Sequence, residues 1–168
     1  MAKILPTVLS AENSLLAQDR VGRLECQLPA DSMIFLPALL EYLDDYRVHY
    51  AMDVQFETKG GGEAVLEGSA QVQVMRIVQE TLNNVRKHAR TNKARICIER
   101  NNAHIRISVQ DDGQGFDPAS VMGRDRQYVG LQVMRERAES IGGTLTLESQ
   151  PGKGTTVVLE VPIASNRG

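Results

Sequence analysis

Hydrophobic and polar residues recur along this chain with two different periods, and these periods predict its helices and strands. Apolar residues at spacings of three and four predict helices over about residues 36–50, 69–89 and 129–141. Alternation at every second position predicts strands around residues 52–57, 94–98, 105–111, 145–147 and 157–161. Because these elements are mixed without strict strand–helix–strand alternation, we expect an α+β fold: a two-layer α/β sandwich with a mixed sheet and helices on one face.

The strand that ends at Asp111 leads directly into a glycine-rich acidic turn, DDGQGF. Every second residue from Ile105 to Val109 is apolar, and the same phase puts Asp111 on the inward face. A buried carboxylate requires a partner, since an unpaired buried charge is costly or shifts its pKa. Gly113 and Gly115 let the backbone approach something bulky. The segment predicts a pocket for a donor group on a flat ligand, with a hairpin turn capped by an aspartate as the alternative.

Composition narrows the protein class only slightly. The chain has 168 residues, which is enough for one domain with a hydrophobic core. Its net charge is −2, so it lacks the basic surface expected of a nucleic-acid-binding protein. No apolar run approaches the roughly 20 residues that cross a bilayer, and the first residues lack a signal-peptide pattern. Cys26 and Cys97 lack CxxC spacing, which favours a reduced cytoplasmic protein without a zinc site. We expect no contact of this chain with nucleic acid or membrane.

Three polar residues lie on the longest predicted helix, away from its apolar stripe. Glu80, Asn84 and Lys87 are spaced i, i+4 and i+7, which puts them within an arc of roughly 60° on a regular helix. Asparagine is unfavourable inside helices because it competes for backbone hydrogen bonds. Oxygen ligands of this kind suit Mg²⁺, and a nearby lysine suits a phosphate. The alternative is a solvated polar face.

The shorter predicted helix begins at Gly130, directly after residues 116–128, which have no sustained period and are expected to form a mobile loop. Free N–H groups at a helix start, beside a glycine that allows close approach, form a site for an anion. The alternative is an ordinary loop-to-helix junction with Leu131 and Met134 in the core.

Four segments occur in a fixed order: ETLNNVRKHA at 80–89, DDGQGF at 111–116, GLxxMxxR at 130–137 and GxGT at 152–155. Together they closely resemble the N, G1 and G2 boxes and the closing Gly-Thr motif of the GHKL ATPase superfamily. Within it, the chain resembles the ATP-binding domain of two-component sensor histidine kinases, particularly the nitrate-sensor-like and desaturase-regulator-like subfamily. The resemblance implies a Bergerat-type ATP-binding fold, with ATP and Mg²⁺ as cofactors.

The resemblance also implies which residues contact the base. Asp111 would bind the adenine amino group, and Thr155 would lie near the same edge of the base. The two glycines of the DDGQGF turn would leave room for the nucleotide, under a lid formed by about residues 116–129. Asp112 departs from the family pattern, which usually has asparagine there; it either weakens an amide contact in the pocket or faces water.

At the phosphate end, the resemblance implies a separate set of residues. Asn84 would ligate Mg²⁺, and Glu80 would be the catalytic residue that orients or helps to deprotonate the attacking nucleophile. Lys87 and the segment of Gly130 and Leu131 would face the phosphate chain. These assignments come from the matching motifs and not from the spacing alone.

A sensor kinase also needs a phosphoacceptor histidine on an upstream dimerising helix, usually followed by an acidic residue. His49, His88 and His104 all lack that neighbour. Residues 1–35 are therefore expected to be a remnant of an upstream helical dimerisation segment, or a linker. Residues 36–168 are expected to form the ATP-binding catalytic domain.

The implied activity is transfer of the ATP γ-phosphoryl group to a histidine on a separate domain, which requires mainly positioning and charge stabilisation. The implied partners are the phosphoacceptor domain of the parent kinase and, through the full-length protein, a response regulator, with dimerisation confined to the parent. Two alternatives stay open. One is an anti-sigma-factor-like serine kinase of the same superfamily, and the other is a non-catalytic, nucleotide-gated interaction module.

Overall fold

The computed structural model describes residues 35–60, 66–121 and 126–163, and of Arg126 and Gln127 only the backbone. In chain order, the elements of these ranges are α1 (Phe35–Tyr50), β1 (Asp53–Lys59), α2 (Gly68–Asn84), a π-helical turn (Val85–Ala89), β2 (Lys93–Arg100), β3 (His104–Asp111), a 3₁₀ turn (Pro118–Val121), α3 (Arg126–Ser140), β4 (Thr144–Ser149) and β5 (Thr155–Pro162).

The strands form one five-stranded mixed sheet with the order β1-β2-β3-β5-β4. β1 and β2 are parallel, whereas the other neighbours are antiparallel. The register pairs Asp111 with Thr155 across β3 and β5, and Ser149 with Thr155 across β4 and β5. These pairs bring the ends of three strands to one edge of the molecule.

The helices cover one face of this sheet, which confirms the predicted α+β sandwich. The apolar residues at every second strand position and the apolar residues spaced three and four apart on the helices form one buried cluster. Its most enclosed side chains are Leu39, Leu43, Ile77, Leu82, Ile96, Ile105, Ile107, Met134 and Leu159. The opposite sheet face carries charged residues, including Arg106 with Glu160 at 3.9 Å. Apolar burial on one face therefore fixes which way every strand side chain points.

Helix α2 ends differently from the sequence prediction. The α-helix stops at Asn84, and Val85–Ala89 continues as a π turn that ends at Arg90 with a left-handed φ of 56°. A π turn bonds residue i to i+5 instead of i+4, so each residue in it advances by a smaller angle. The arc calculated for Glu80, Asn84 and Lys87 on a regular helix consequently does not hold beyond Asn84.

Helix α3 begins at Arg126, about three residues before its predicted start. Gly130 therefore lies inside the helix, where N–H groups bond to the carbonyl four residues earlier, and the expected free N–H groups at Gly130 are not found there. The segment predicted as a loop without periodic structure holds the 3₁₀ turn Pro118–Val121 and the first residues of α3. Residues 122–125 of the predicted lid lie outside the described part of the chain.

The predicted dimerisation remnant, residues 1–35, also lies outside the described residues except for Phe35, which begins α1 and is buried. Among the helices that the structure describes, none combines the length and the apolar character needed to span a bilayer.

Candidate functional site

A pocket of about 130 Å³ lies where α2, its π turn and α3 meet the ends of the sheet strands. Its apolar wall is formed by Val85, Ala89, Val109, Phe116, Leu131, Leu147 and Val157. The other lining residues are Thr81, Asn84, His88, Asp111, Gln114, Gly115 and Thr155. A pocket that combines apolar side chains with convergent polar groups suits a small molecule that has both kinds of surface.

Asp111 is the buried acid of this pocket, with an exposed fraction of 5%. Its Oδ1 accepts the N–H of Gly113 at 2.8 Å, and the backbone N–H of Thr155 also favours the charged form of the carboxylate. Burial raises the pKa of the Asp111 carboxyl above its ordinary value, and these two backbone donors oppose the rise. The inward orientation predicted for Asp111 is confirmed, and main-chain N–H groups supply the partner that a buried carboxylate requires.

Neighbouring turns lie so close to the Asp111 turn that side chains are excluded between them. A Cβ at Gly113 would overlap the carbonyl oxygen of Ala89, at the end of the π turn. A Cβ at Gly115, where φ is 60°, would overlap the carbonyl oxygen of Gln150. A Cβ at Gly154, where φ is 75°, would overlap the main chain of the Asp111 turn. Contacts within the protein therefore already require these glycines, whereas their role in making room for a nucleotide stays a prediction.

The π turn decides which residues after Asn84 reach the pocket. Asn84 and His88 line it, whereas Lys87 is exposed and lies outside its wall. Gln114 fixes this turn from the other side, because its Nε2 donates to the main-chain oxygen of His88 at 2.6 Å. The backbone N–H of Gln114 donates to the carbonyl of Ala89 at 2.8 Å. The turn that carries Asp111 and the end of the helix that carries Asn84 are thus joined directly.

Glu80 lies one helical turn before Asn84, where α3 packs against α2. It is half-buried, and a Cβ at Gly130 would lie 3.2 Å from Glu80 Oε1. Further along the same interface, Arg137 Nη1 donates to Gln73 Oε1 at 3.0 Å. The absence of a side chain at Gly130 therefore leaves space for the Glu80 carboxylate, and Gly130 does not form the beginning of the helix.

The chain matches the family model described as "Histidine kinase-, DNA gyrase B-, and HSP90-like ATPase" over residues 69–165. It belongs to this family. It is 30% identical to the signal transduction histidine-protein kinase/phosphatase DegS of Brevibacillus brevis, over 83% of this chain and 35% of that protein. It is 34% identical to the sensor histidine kinase LiaS of Bacillus subtilis (strain 168), over 74% of this chain and 33% of that protein. The chain thus spans about a third of the length of these relatives.

The fold also matches a solved structure. The histidine kinase domain from the Erythrobacter litoralis EL346 blue-light activated histidine kinase is similar with a TM-score of 0.65. That match covers 89% of this chain and 74% of that chain at 18% sequence identity. At this identity the similarity shows a shared fold and no more. The predicted resemblance to the ATP-binding domains of sensor histidine kinases is confirmed at the level of the family.

The residues that the motifs of this ATPase family singled out fall into two groups. Five of them line the pocket: Asn84, Asp111, Gly115, Leu131 and Thr155. The other four lie outside its wall: Glu80, Lys87, Gly113 and Gly130. Asp112, which departs from the family pattern, is exposed and accepts the hydroxyl of Thr91 at 2.6 Å, so it does not line the pocket.

Three residues in or behind the pocket wall were not singled out from the sequence pattern. His88 lies in the last turn of the predicted helix, four residues after Asn84, and the π turn places both residues on the pocket wall. Gln114 gives no signal because its partners are main-chain atoms distant in sequence. Ser149, whose hydroxyl lies 2.8 Å from Thr155 Oγ1, continues the inward phase of Leu145 and Leu147. Extending that alternation by one step would have found it.

Proposed function

We propose that this chain is the ATP-binding catalytic domain of a sensor histidine kinase, which transfers the γ-phosphoryl group of ATP to a histidine on a separate domain. The observation that carries this proposal is the buried carboxylate of Asp111 at the base of an apolar-walled pocket in an ATPase-family fold. A carboxylate there accepts a hydrogen bond from an exocyclic amine, and the apolar side chains around it suit the faces of a flat base. Adenine has both features.

The phosphate end of the nucleotide lies, in this proposal, toward Asn84 and Glu80. The Asn84 amide oxygen fits Mg²⁺, which prefers oxygen ligands and keeps waters and substrate phosphates as its remaining ligands. When bound, Mg²⁺ supplies neutralisation of phosphate charge. Glu80 is half-buried next to Gly130, one helical turn before Asn84, and its carboxylate orients or deprotonates the acceptor nitrogen. Lys87 contributes positive charge near the phosphates.

The partners follow from the same proposal. A phosphoacceptor domain of the parent kinase supplies the histidine, and a response regulator receives the phosphoryl group through the full-length protein. Within the described residues, His49 and His104 lie at the end of α1 and the start of β3, and neither lines the pocket. His88 lines it, but Gln114 holds its backbone in the π turn. Transfer needs an acceptor in line with the γ-phosphate, and a free helix meets this condition better than these fixed histidines.

We further propose that the domain works in the cytoplasm, and that residues 116–129 form a lid that orders when nucleotide binds. Phe116, the first residue of this segment, and Gly115 just before it line the pocket. Ligand-facing segments at the base of a loop are the usual arrangement for a lid that closes over a substrate.

The first test is calorimetric titration of the chain with Mg·ATP for wild type, Asp111→Asn and Asp112→Asn. Loss of a charged acceptor should weaken binding by roughly ten- to a hundredfold for Asp111→Asn, which corresponds to about 1.5–3 kcal/mol. Asp112→Asn is the matched control, because Asp112 is exposed and outside the pocket wall. Unchanged affinity of Asp111→Asn would contradict the assignment to adenine.

The second test supplies labelled ATP and a phosphoacceptor domain. Wild type should produce an acid-labile, base-stable phosphohistidine on that domain, and Glu80→Ala should slow this transfer while ATP still binds. Asn84→Ala should weaken Mg²⁺-dependent binding itself. The chain alone should accumulate no such label. Phosphoserine on a protein substrate would support the anti-sigma-factor-like kinase instead, and ATP binding without any transfer would support the non-catalytic module.

A further inference from the structure

The side chain of Ser149 lies directly behind the pocket. Ser149 is the last residue of β4, pairs with Thr155 and does not line the pocket itself. Its Oγ lies 2.8 Å from Thr155 Oγ1 and 3.2 Å from the carbonyl oxygen of Gly154. It also accepts the N–H of Phe116 at 2.9 Å. One hydroxyl therefore contacts three groups, of which Thr155 and Phe116 belong to the pocket wall.

Only one arrangement of protons satisfies all three contacts. A serine hydroxyl has one proton to donate and two lone pairs that accept. The N–H of Phe116 occupies one lone pair, and the carbonyl of Gly154, which cannot donate, takes the proton. The remaining lone pair of Ser149 then accepts the proton of Thr155. In this arrangement Thr155 gives its proton to Ser149, so toward a ligand in the pocket the Thr155 oxygen can only accept a hydrogen bond.

We propose that Ser149 is a positioning residue that makes the pocket select adenine over guanine, by holding the hydroxyl of Thr155 as a hydrogen-bond acceptor. This inference rests on the proposed function. The carboxylate of Asp111 is also an acceptor, so the polar groups of Asp111 and Thr155 at the base end of the pocket match a ligand edge that donates. Adenine presents an amino group at its six position, whereas guanine presents a carbonyl oxygen there. A guanine carbonyl at the place of the adenine amino group would meet two acceptors and gain no hydrogen bond there, which disfavours guanine.

Removal of the Ser149 hydroxyl should act on this selection through Thr155. In Ser149→Ala, the proton of Thr155 loses its acceptor and can rotate into the pocket, where it can bond to the guanine oxygen. The same variant also removes the acceptor for the N–H of Phe116. Loss of the bond to Phe116 should weaken ATP and GTP binding alike, whereas the freed proton of Thr155 should favour GTP. The ratio of the two affinities therefore reports only the change at Thr155.

The experiment measures dissociation constants of Mg·ATP and Mg·GTP for the full chain and its variants. The ratio in favour of ATP should fall by roughly two- to tenfold in Ser149→Ala, the value expected for one neutral hydrogen bond. Ser149→Thr keeps a hydroxyl and should keep the ratio. Ser140→Ala is the matched control, since the Ser140 hydroxyl donates only to the carbonyl of Arg137, at 2.7 Å, and lies outside the pocket wall.

A double-mutant cycle tests whether Ser149 acts through Thr155. Thr155→Val removes the second hydroxyl, and adding Ser149→Ala to it should leave the ratio unchanged. Additive effects of the two substitutions would overturn the proposal. The proposal would also be overturned if Ser149→Ala lowered the affinities for both nucleotides and left their ratio unchanged. Ser149 would then have a purely structural role, and the proposed function would stand. Absence of ATP binding by the wild type would refute the proposed function as well.

Discussion

The hydroxyl of Tyr46 donates to the main-chain oxygen of Leu82 at 2.8 Å, just before α2 changes into its π turn. Leu82 is fully buried, and its carbonyl shares the N–H of Val85 with the carbonyl of Thr81. A hydroxyl from α1 thus completes the hydrogen bonding of a carbonyl at the point where the regular helical pattern ends. Burial raises the pKa of Tyr46 to about 12, so the donor keeps its proton at neutral pH.

Replacement of Tyr46 by phenylalanine should lower the free energy of unfolding by about 0.5–1.5 kcal/mol, because it removes one buried hydrogen bond and keeps the ring. Urea unfolding measures this difference. Tyr50→Phe is the control: its ring lies in the same aromatic group, with the guanidinium of Arg86 4.6 Å from its centroid, and that contact does not use the hydroxyl. An equal loss of stability in both variants would contradict the role given to the Leu82 carbonyl.

The periodic elements of the fold could be predicted from the sequence because burial on one face controls them. The alternation from Ile105 to Asp111 gave the correct face of β3, and with it the buried acid. The π turn could not be predicted, because it depends on tertiary bonds from Tyr46 and Gln114 to backbone atoms. The motifs identified Asn84, and His88 shares its pocket wall, whereas Lys87, predicted to face the phosphate chain, lies outside that wall.

Asp111→Asn should also change how stability depends on pH. Burial raises the native pKa of Asp111, so the native state binds this proton more tightly than the unfolded chain does. Its contribution to stability is then fully present below the unfolded value of about 3.9 and is lost as pH rises through the native pKa. The asparagine variant cannot ionise, and its amide oxygen can accept a bond from the N–H of Gly113 or Thr155.

We therefore expect Asp111→Asn to be more stable than wild type near pH 7, with the advantage gone at about pH 4. Urea unfolding at both pH values checks this. Asp112→Asn should show a much smaller pH-dependent gain, because Asp112 is exposed and its charge is the smallest of the causes that act on the pKa of Asp111. A variant that is less stable than wild type at neutral pH would show that the two backbone bonds outweigh burial. Combined with weaker ATP binding, the expected result would mean that this carboxylate is kept for its ligand at the expense of stability.

Gln114→Leu should weaken Mg·ATP binding by roughly two- to tenfold, because it removes the donor that holds the His88 carbonyl and so loosens the turn after Asn84. Binding of ATP in the presence of a chelator should change less, since the effect is expected at the metal end. The control is Gln132→Leu, because Gln132 is exposed on α3 and makes only a 3.4 Å contact with Glu136. Equal losses with and without Mg²⁺ would argue that Gln114 contacts the nucleotide directly.

Gly152 and Gly115 both have a left-handed backbone, and replacing each by alanine separates the energetic cost of backbone strain from that of steric overlap. Gly152 has a φ of 80°, and a Cβ added there would meet no atom within 4 Å, whereas the Cβ of Gly115→Ala would overlap the Gln150 carbonyl. Gly152→Ala should therefore lower the free energy of unfolding by only about 1–2 kcal/mol, the cost of the left-handed conformation. Gly115→Ala should lose roughly 1–3 kcal/mol more, because the two turns must move apart.

The same pair of variants distinguishes an effect on stability from an effect on ATP binding. Gly152 is exposed and outside the pocket wall, so Gly152→Ala should bind ATP like the wild type once folded. Gly115 lines the pocket, and separating its turn from Gln150 also moves Asp111, whose main chain packs against Gly154. Gly115→Ala should therefore bind ATP more weakly even under conditions where circular dichroism shows it folded. Normal ATP affinity in that folded variant would mean that the interlocked turns stabilise the domain without positioning the acid.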